Sequence, residues 1–207
     1  MGIQNFITFL VTALFFVMTP GIDTLFVLNK SINQGKKSGV YATLGINTGV
    51  LTHTFFAAVG LSVFIAKSAL AFSIIQFVGA AYLIYLGVFK LIKKNDFLME
   101  DSLVKTQKKS KNDFWSGFFT NSLNPKVALF FLAFFPQFIL PSQIQNPIPF
   151  ILLGVTFAII GVIWYMSLSL FASIFSEKIK NNPTAGVWIN KISGIAFILI
   201  AIQMVLS

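Results

Sequence analysis

Apolar residues along this chain fall into six long runs separated by short polar stretches. The runs are Ile3–Leu28, Val40–Ala66, Ala69–Ile92, Phe114–Leu140, Phe150–Phe175 and Val187–Leu206. Each is long enough to cross about 30 Å of hydrocarbon as an α-helix. None shows the alternating polarity, over about ten residues, of a barrel strand. The pattern predicts an all-α membrane protein with six transmembrane helices.

Two of the runs are interrupted. In the first, Thr19, Pro20, Gly21 and Asp23 sit inside the apolar stretch "VMTPGIDTLFVL". In the fourth, Asn124, Pro125 and Lys126 do the same within "SLNPKVALFFL". Proline removes a backbone donor and clashes with the preceding turn. In lipid the freed carbonyl has no water to receive it, so such a break must face protein or a wet cavity. Spans 1 and 4 are therefore expected to be broken at proline. Paired interruptions at corresponding places in two halves point to a transporter's binding site, where half-helix ends present partial charges to a solute.

The chain reads as one transmembrane domain, residues 1–207, in two halves. Repeat 1 covers residues 1–92, a linker covers 93–113 and repeat 2 covers 114–207. Three spans per half mean that a duplicated unit is inserted upside down. "TPGIDTLFVL" resembles "NPKVALFFL", with a gap needed after the prolines. "VGAAYLIYLG" resembles "SGIAFILIAI", with Gly79 opposite Gly194. The matches occur in the same order, which predicts two inverted three-helix repeats.

Composition fits a membrane chain: 56% of residues are hydrophobic, 10% are charged, and the mean hydropathy is +0.83. All 15 basic residues are lysine, and the net charge is +9. The lysines lie between apolar runs rather than on one solvated face, so nucleic-acid binding is not expected. They mark the odd-numbered connections. Lys30, Lys36 and Lys37 fall in the first, a group from Lys90 to Lys111 in the third, and Lys178 and Lys180 in the fifth. By the positive-inside rule these connections are cytoplasmic and both termini lie outside. The third connection also carries Asp96, Glu100, Asp101 and Asp113, and reads as a solvated linker. The first run lacks a basic leader, and nothing after Met1-Gly2 fits a myristoylation site, so it is expected to be retained as a span.

Asp23 is the one acidic residue well inside a run. A carboxylate at a helix centre costs about 2.5–3.5 kcal/mol on insertion scales. It therefore either binds solute or carries a proton, or it lies near the span's end and is hydrated. Lys126 similarly has an interior reading and a snorkelling one. His53 shares a helical face with Gly45, Gly49 and Gly60, which suits a close helix contact; a proton relay is the other reading. Asn47, Asn121, Gln76, Tyr82 and Tyr165 are read first as structural, whereas Asn124 adjoins the break. Cysteine is absent and carboxylates are few, so neither a metal site nor a cofactor is expected. No Ser–His arrangement or H-E-x-x-H motif points to an enzyme.

Together, "TPGIDTLFVL", "GKKSGVYATLGINTGVLTHTFFAAVGLS", "FVGAAYLIYLG" and "GFFTNSLNPKVALFFLAFFPQFI" resemble the LysE–RhtB family of amino-acid exporters. The likeness covers nearly the whole chain; Ile22 stands where family members often have a second proline. The resemblance implies a carrier of the bacterial inner membrane that expels amino acids or close derivatives, driven by proton motive force. Its partners are then an amino acid, protons and the bilayer; a homodimer is an expectation by analogy only. A cationic solute would call for several acidic groups, so one Asp and one Lys favour a neutral, zwitterionic amino acid. The site residues expected are Pro20, Gly21, Asp23, Thr24, Asn124, Pro125 and Lys126, with His53, Asn47 and Tyr82 as relay or helix-interface residues. A metal-ion exporter of the same fold group and a non-transporting membrane factor are the alternatives.

Overall fold

The computed structural model describes residues 2–61, 69–92, 112–172, 174 and 183–206. Its described elements are helical: α1 (Phe6–Met18), α2 (Ile22–Gln34), α3 (Lys36–Phe56), α4 (Ala69–Ile92), α5 (Asp113–Ser122), α6 (Pro125–Ala133), α7 (Pro147–Leu170) and α8 (Pro183–Leu206). A π-helical turn over Ala57–Leu61 extends α3, and a short 3-10 turn over Phe135–Phe138 follows α6. The expected linker core, residues 93–111, and the lysines at 67, 178 and 180 lie outside the described residues.

Among the described residues α7 alone is long and apolar enough to cross a membrane as one helix. Two bent pairs pass the same test jointly. One is α1 with α2, bent by 52°; the other is α5 with Pro125–Phe138, bent by 50°. The first and fourth apolar runs are thus each two helices, and both breaks fall at the proline motifs.

Two expectations about the connections need correction. The first connection is not a solvated lysine loop: α2 and α3 are joined by Gly35 alone. Its φ of +91° is a conformation that only glycine adopts cheaply. Lys30 lies within α2, only 2% exposed, and its Nζ is 2.8 Å from Asp113 Oδ1. Asp113 is accordingly not part of a solvated linker. It opens α5, and its Oδ2 accepts a 2.6 Å hydrogen bond from Ser38 Oγ on α3. Both side chains are drawn from water because each is the other's partner.

Helix α3 is the platform of the fold, packing on α2, α5 and α7. Its contact with α5 is backbone on backbone. A Cβ on Gly45 would overlap the Phe114 carbonyl, and one on Gly117 would meet the Ala42 carbonyl. A Cβ on Gly49 would sit 2.9 Å from the Asn121 side chain. Small residues spaced four apart let two helices approach this far. Gly60, expected on the same face, belongs instead to the exposed π-turn, where a Cβ would touch nothing within 4 Å. A second glycine seam joins α4 to α8: a Cβ on Gly194 would sit 2.7 Å from the Gly87 carbonyl oxygen.

The end of the molecule away from Lys30 is packed with phenylalanine. Phe9, Phe130, Phe134, Phe135 and Phe138 are all buried. Residues 2–4 close this end by pairing with 137–140: Gln4 N donates to the Phe138 carbonyl and Leu140 N to the Gly2 carbonyl.

Replacing Gly45 by alanine should force α3 from α5, with an overpacking cost of about 1–3 kcal/mol. Gly60→Ala should leave stability unchanged. Thermal melting of both variants in detergent checks the contrast.

Candidate functional site

The site begins with what each proline takes away. A helix hydrogen bond runs from an N–H to the carbonyl four residues earlier. Pro20 has no N–H for the Phe16 carbonyl, and Pro125 has none for the Asn121 carbonyl. The Phe16 carbonyl finds a donor from elsewhere, whereas the Asn121 carbonyl accepts from its neighbour Asn124 N at 2.9 Å and from a side chain of another helix as well. Lys126 Nζ lies 3.4 Å from the Phe16 carbonyl oxygen and 3.4 Å from that of Thr19. His53 Nε2 donates to the Asn121 carbonyl at 3.0 Å. The break after α5 thus borrows a side chain from α3, while the break after α1 borrows one from α6.

The new helix starts are also satisfied. Asn124 caps α6, its Oδ1 accepting from Lys126 N at 3.0 Å. Pro125 follows at the first helical position, where a missing N–H costs nothing. Asp23 stands in the first turn of α2, where the helix dipole favours an anion. The Lys126 ammonium lies at the opposite kind of end, the carboxyl terminus of α1, where a cation is favoured. It also lies 4.4 Å from the Phe16 ring centre and 5.3 Å from that of Phe197 on α8.

These groups surround one small cavity. The first break contributes Phe16, Thr19, Gly21, Asp23 and Thr24, and the second Asn121, Asn124 and Lys126. Asn47 and Val50 of α3 and Phe157, Gly161 and Tyr165 of α7 complete it. Asp23 is 6% exposed. Its Oδ2 accepts from Asn121 Nδ2 at 2.8 Å, and its Oδ1 accepts no hydrogen bond from the described residues. Asn124 and the Lys126 ammonium also act on this carboxylate. Asn47 Nδ2 donates to the Thr43 carbonyl, and its free Oδ1 lies against Gly161, where any side chain would collide. The free space is about 20 Å³, room for roughly one water-sized species. An amino acid enters only if the walls part.

Of the residues expected from sequence, Gly21, Asp23, Thr24, Asn47, Asn124 and Lys126 line this cavity. Pro20 is buried at the break beside it. Pro125 does not face the cavity; it is exposed, and it shapes the site by starting α6 beside Asn124. His53 stands behind the lining, held on Asn121. Tyr82 is remote, stacked on Tyr85 of α4 at 6.3 Å. Two residues read as structural belong to the wall. Asn121 positions Asp23, and Tyr165 is buried against the cavity. Among the described residues no three His, Cys, Asp or Glu side chains gather into a metal-binding group.

The profile of the LysE type translocators matches residues 14–207. The chain belongs to the LysE type translocators. It is 34% identical to the uncharacterized membrane protein YrhP of Bacillus subtilis (strain 168), over 99% of this chain and 100% of that protein. It is 31% identical to the homoserine/homoserine lactone efflux protein of Salmonella typhimurium (strain LT2), over 97% of this chain and 95% of that one. The protein of the same name from Salmonella typhi is 30% identical over the same shares. No solved structure matches. Family and apolar helices together make this a membrane protein with a small-molecule substrate.

Asn121→Ala should remove the partner of a buried carboxylate and lower stability by about 1–3 kcal/mol. Tyr82→Phe should be neutral. Unfolding in detergent, followed by tryptophan fluorescence, distinguishes the two.

Proposed function

We propose that this translocator exports neutral, zwitterionic amino acids or close derivatives across the bacterial inner membrane, driven by the proton motive force. The observation that carries this reading is the pairing of one carboxylate, with a free oxygen, and one ammonium at the junction of two broken helices. A zwitterion brings the complementary pair: its ammonium to Asp23 Oδ1, its carboxylate toward Lys126. Opposite charges at both ends offset the cost of drying the solute. Homoserine, in the names of two relatives, is such a zwitterion. Its lactone keeps the ammonium but has no carboxylate, which makes the Asp23 end the shared point of recognition.

The same chain forms six spans in two inverted repeats, with both termini outside. In support, elements expected to be equivalent pack on each other: α3 on α7, and α4 on α8 through Gly87 and Gly194. Alternating access is rocking of one half against the other about the two breaks. Asp23 is the group placed to exchange a proton during that cycle.

Counterflow in proteoliposomes tests the reading. Homoserine and neutral analogues should exchange, and lysine should not. Asp23→Asn keeps shape and hydrogen bonding but cannot titrate. Its proton-driven efflux should fall by about tenfold or more, the scale of a lost charge-assisted contact. Efflux at the wild-type rate with unchanged pH dependence would refute the role of Asp23.

A further inference from the structure

The cavity is flanked at its two ends by unlike materials. Toward the α2–α3 turn the closure is polar. Lys30 of α2 pairs with Asp113 of α5 at 2.8 Å, and Asp113 accepts from Ser38 of α3. Beside them Ser31 Oγ is 3.2 Å from Ser169 Oγ of α7, and Ser169 Oγ donates to the Lys36 carbonyl at 3.3 Å. Every link joins two different helices, and the seal is tight: a side chain on Gly39 would overlap both serines. Lys30 lies two helical turns beyond Asp23. Toward the other end the closure is a dry cluster. Phe16, Phe130 and Phe157 stack above the cavity, with ring centres 4.0 Å apart for Phe16 and Phe130 and 5.2 Å for Phe130 and Phe157.

These closures respond oppositely to water. An ion pair and hydroxyls that part in water exchange protein partners for hydrated ones, at small net cost. Phenylalanine rings that part in water lose apolar burial with nothing in return. We infer that the Lys30–Asp113 pair and the Ser31–Ser169 contact form the substrate-entry gate of the carrier. The gate opens in the absence of solute, while the phenylalanine end stays shut until the site is filled. The inference rests on the carrier reading above. It adds that loading from the lysine-rich side, which an exporter needs, is built into the chemistry of the two ends.

The test locks the gate. The chain has no native cysteine, and Ser31→Cys with Ser169→Cys places two thiols within reach of a disulfide. Two readouts are taken on the purified double variant, oxidised and then reduced. Deuterium uptake along α2 and α5 reports opening with no substrate present. Uptake at their gate-side ends should be severalfold slower when oxidised, with α6 unaffected. Homoserine counterflow should vanish when oxidised and return on reduction. Asp113→Asn, which keeps the Ser38 hydrogen bond but removes the anion, should speed gate-side uptake severalfold. Gate-side exchange indifferent to both the disulfide and Asp113→Asn, or full counterflow by fully cross-linked protein, would overturn the gate. Absence of counterflow in the reduced and wild-type proteins, with the exchange pattern intact, would instead count against the amino-acid reading alone.

Discussion

A helix that stops inside a bilayer must find donors for carbonyls that water cannot reach. Most of this structure follows from how two such stops are supplied. Pro20 orphans the Phe16 carbonyl, and Lys126 of the second break approaches it. Pro125 cannot donate to the Asn121 carbonyl, which accepts from Asn124 N at 2.9 Å and from His53 Nε2 of α3 at 3.0 Å. Lys126 ties the second break to the carbonyls of the first, so the two breaks meet. Their meeting places a cation, a carboxylate and a set of amides around one cavity. The polar cavity is thus a consequence of backbone hydrogen bonding before it is a binding site.

That meeting needs helices closer together than ordinary side chains permit. Gly45, Gly49 and Gly117 let α5 lie directly on α3, which brings the Asn121 carbonyl within 3.0 Å of His53. Asn121 then works at both levels. Its carbonyl accepts from both Asn124 N and His53, and its side chain holds one oxygen of Asp23. The other oxygen stays open for a donor that the described residues do not supply. The cavity is too small for an amino acid as it stands, so a solute of that size enters only if its walls part.

The breaks were legible because proline and glycine disrupt a helix wherever they stand, and Asp23 was legible because a carboxylate in an apolar run is costly. Pro125 shows the limit of that reasoning. A helix break at this proline is readable from sequence, but as the first residue of α6 it faces outward and lines no part of the cavity. Asn121 carried no signal, since an asparagine in a helix is equally consistent with a structural hydrogen bond. Lys30 and Asp113 were misplaced for a physical reason. A lysine at the end of an apolar run looks like a topology marker, and only tertiary structure shows that its partner arrives from another helix. The glycine face of α3 was readable from spacing, but not its partner Gly117, nor that Gly60 falls in a turn. Of the lysine-rich third connection, residues 93–111 lie outside the described residues, whereas Lys90 belongs to α4 and Asp113 to α5.

In the proposed carrier, Asp23 is the ammonium-binding carboxylate at the meeting point of two broken helices. A hydrophobic carbodiimide, which attacks carboxyl groups in low-dielectric surroundings, tests this directly when modification of Asp23 is followed by mass spectrometry. Asp23 should react, and homoserine should slow the reaction in proportion to its occupancy, whereas the same carbon skeleton lacking the amino group should not. Modification of Asp23 at one rate with and without every solute the protein transports would contradict the account.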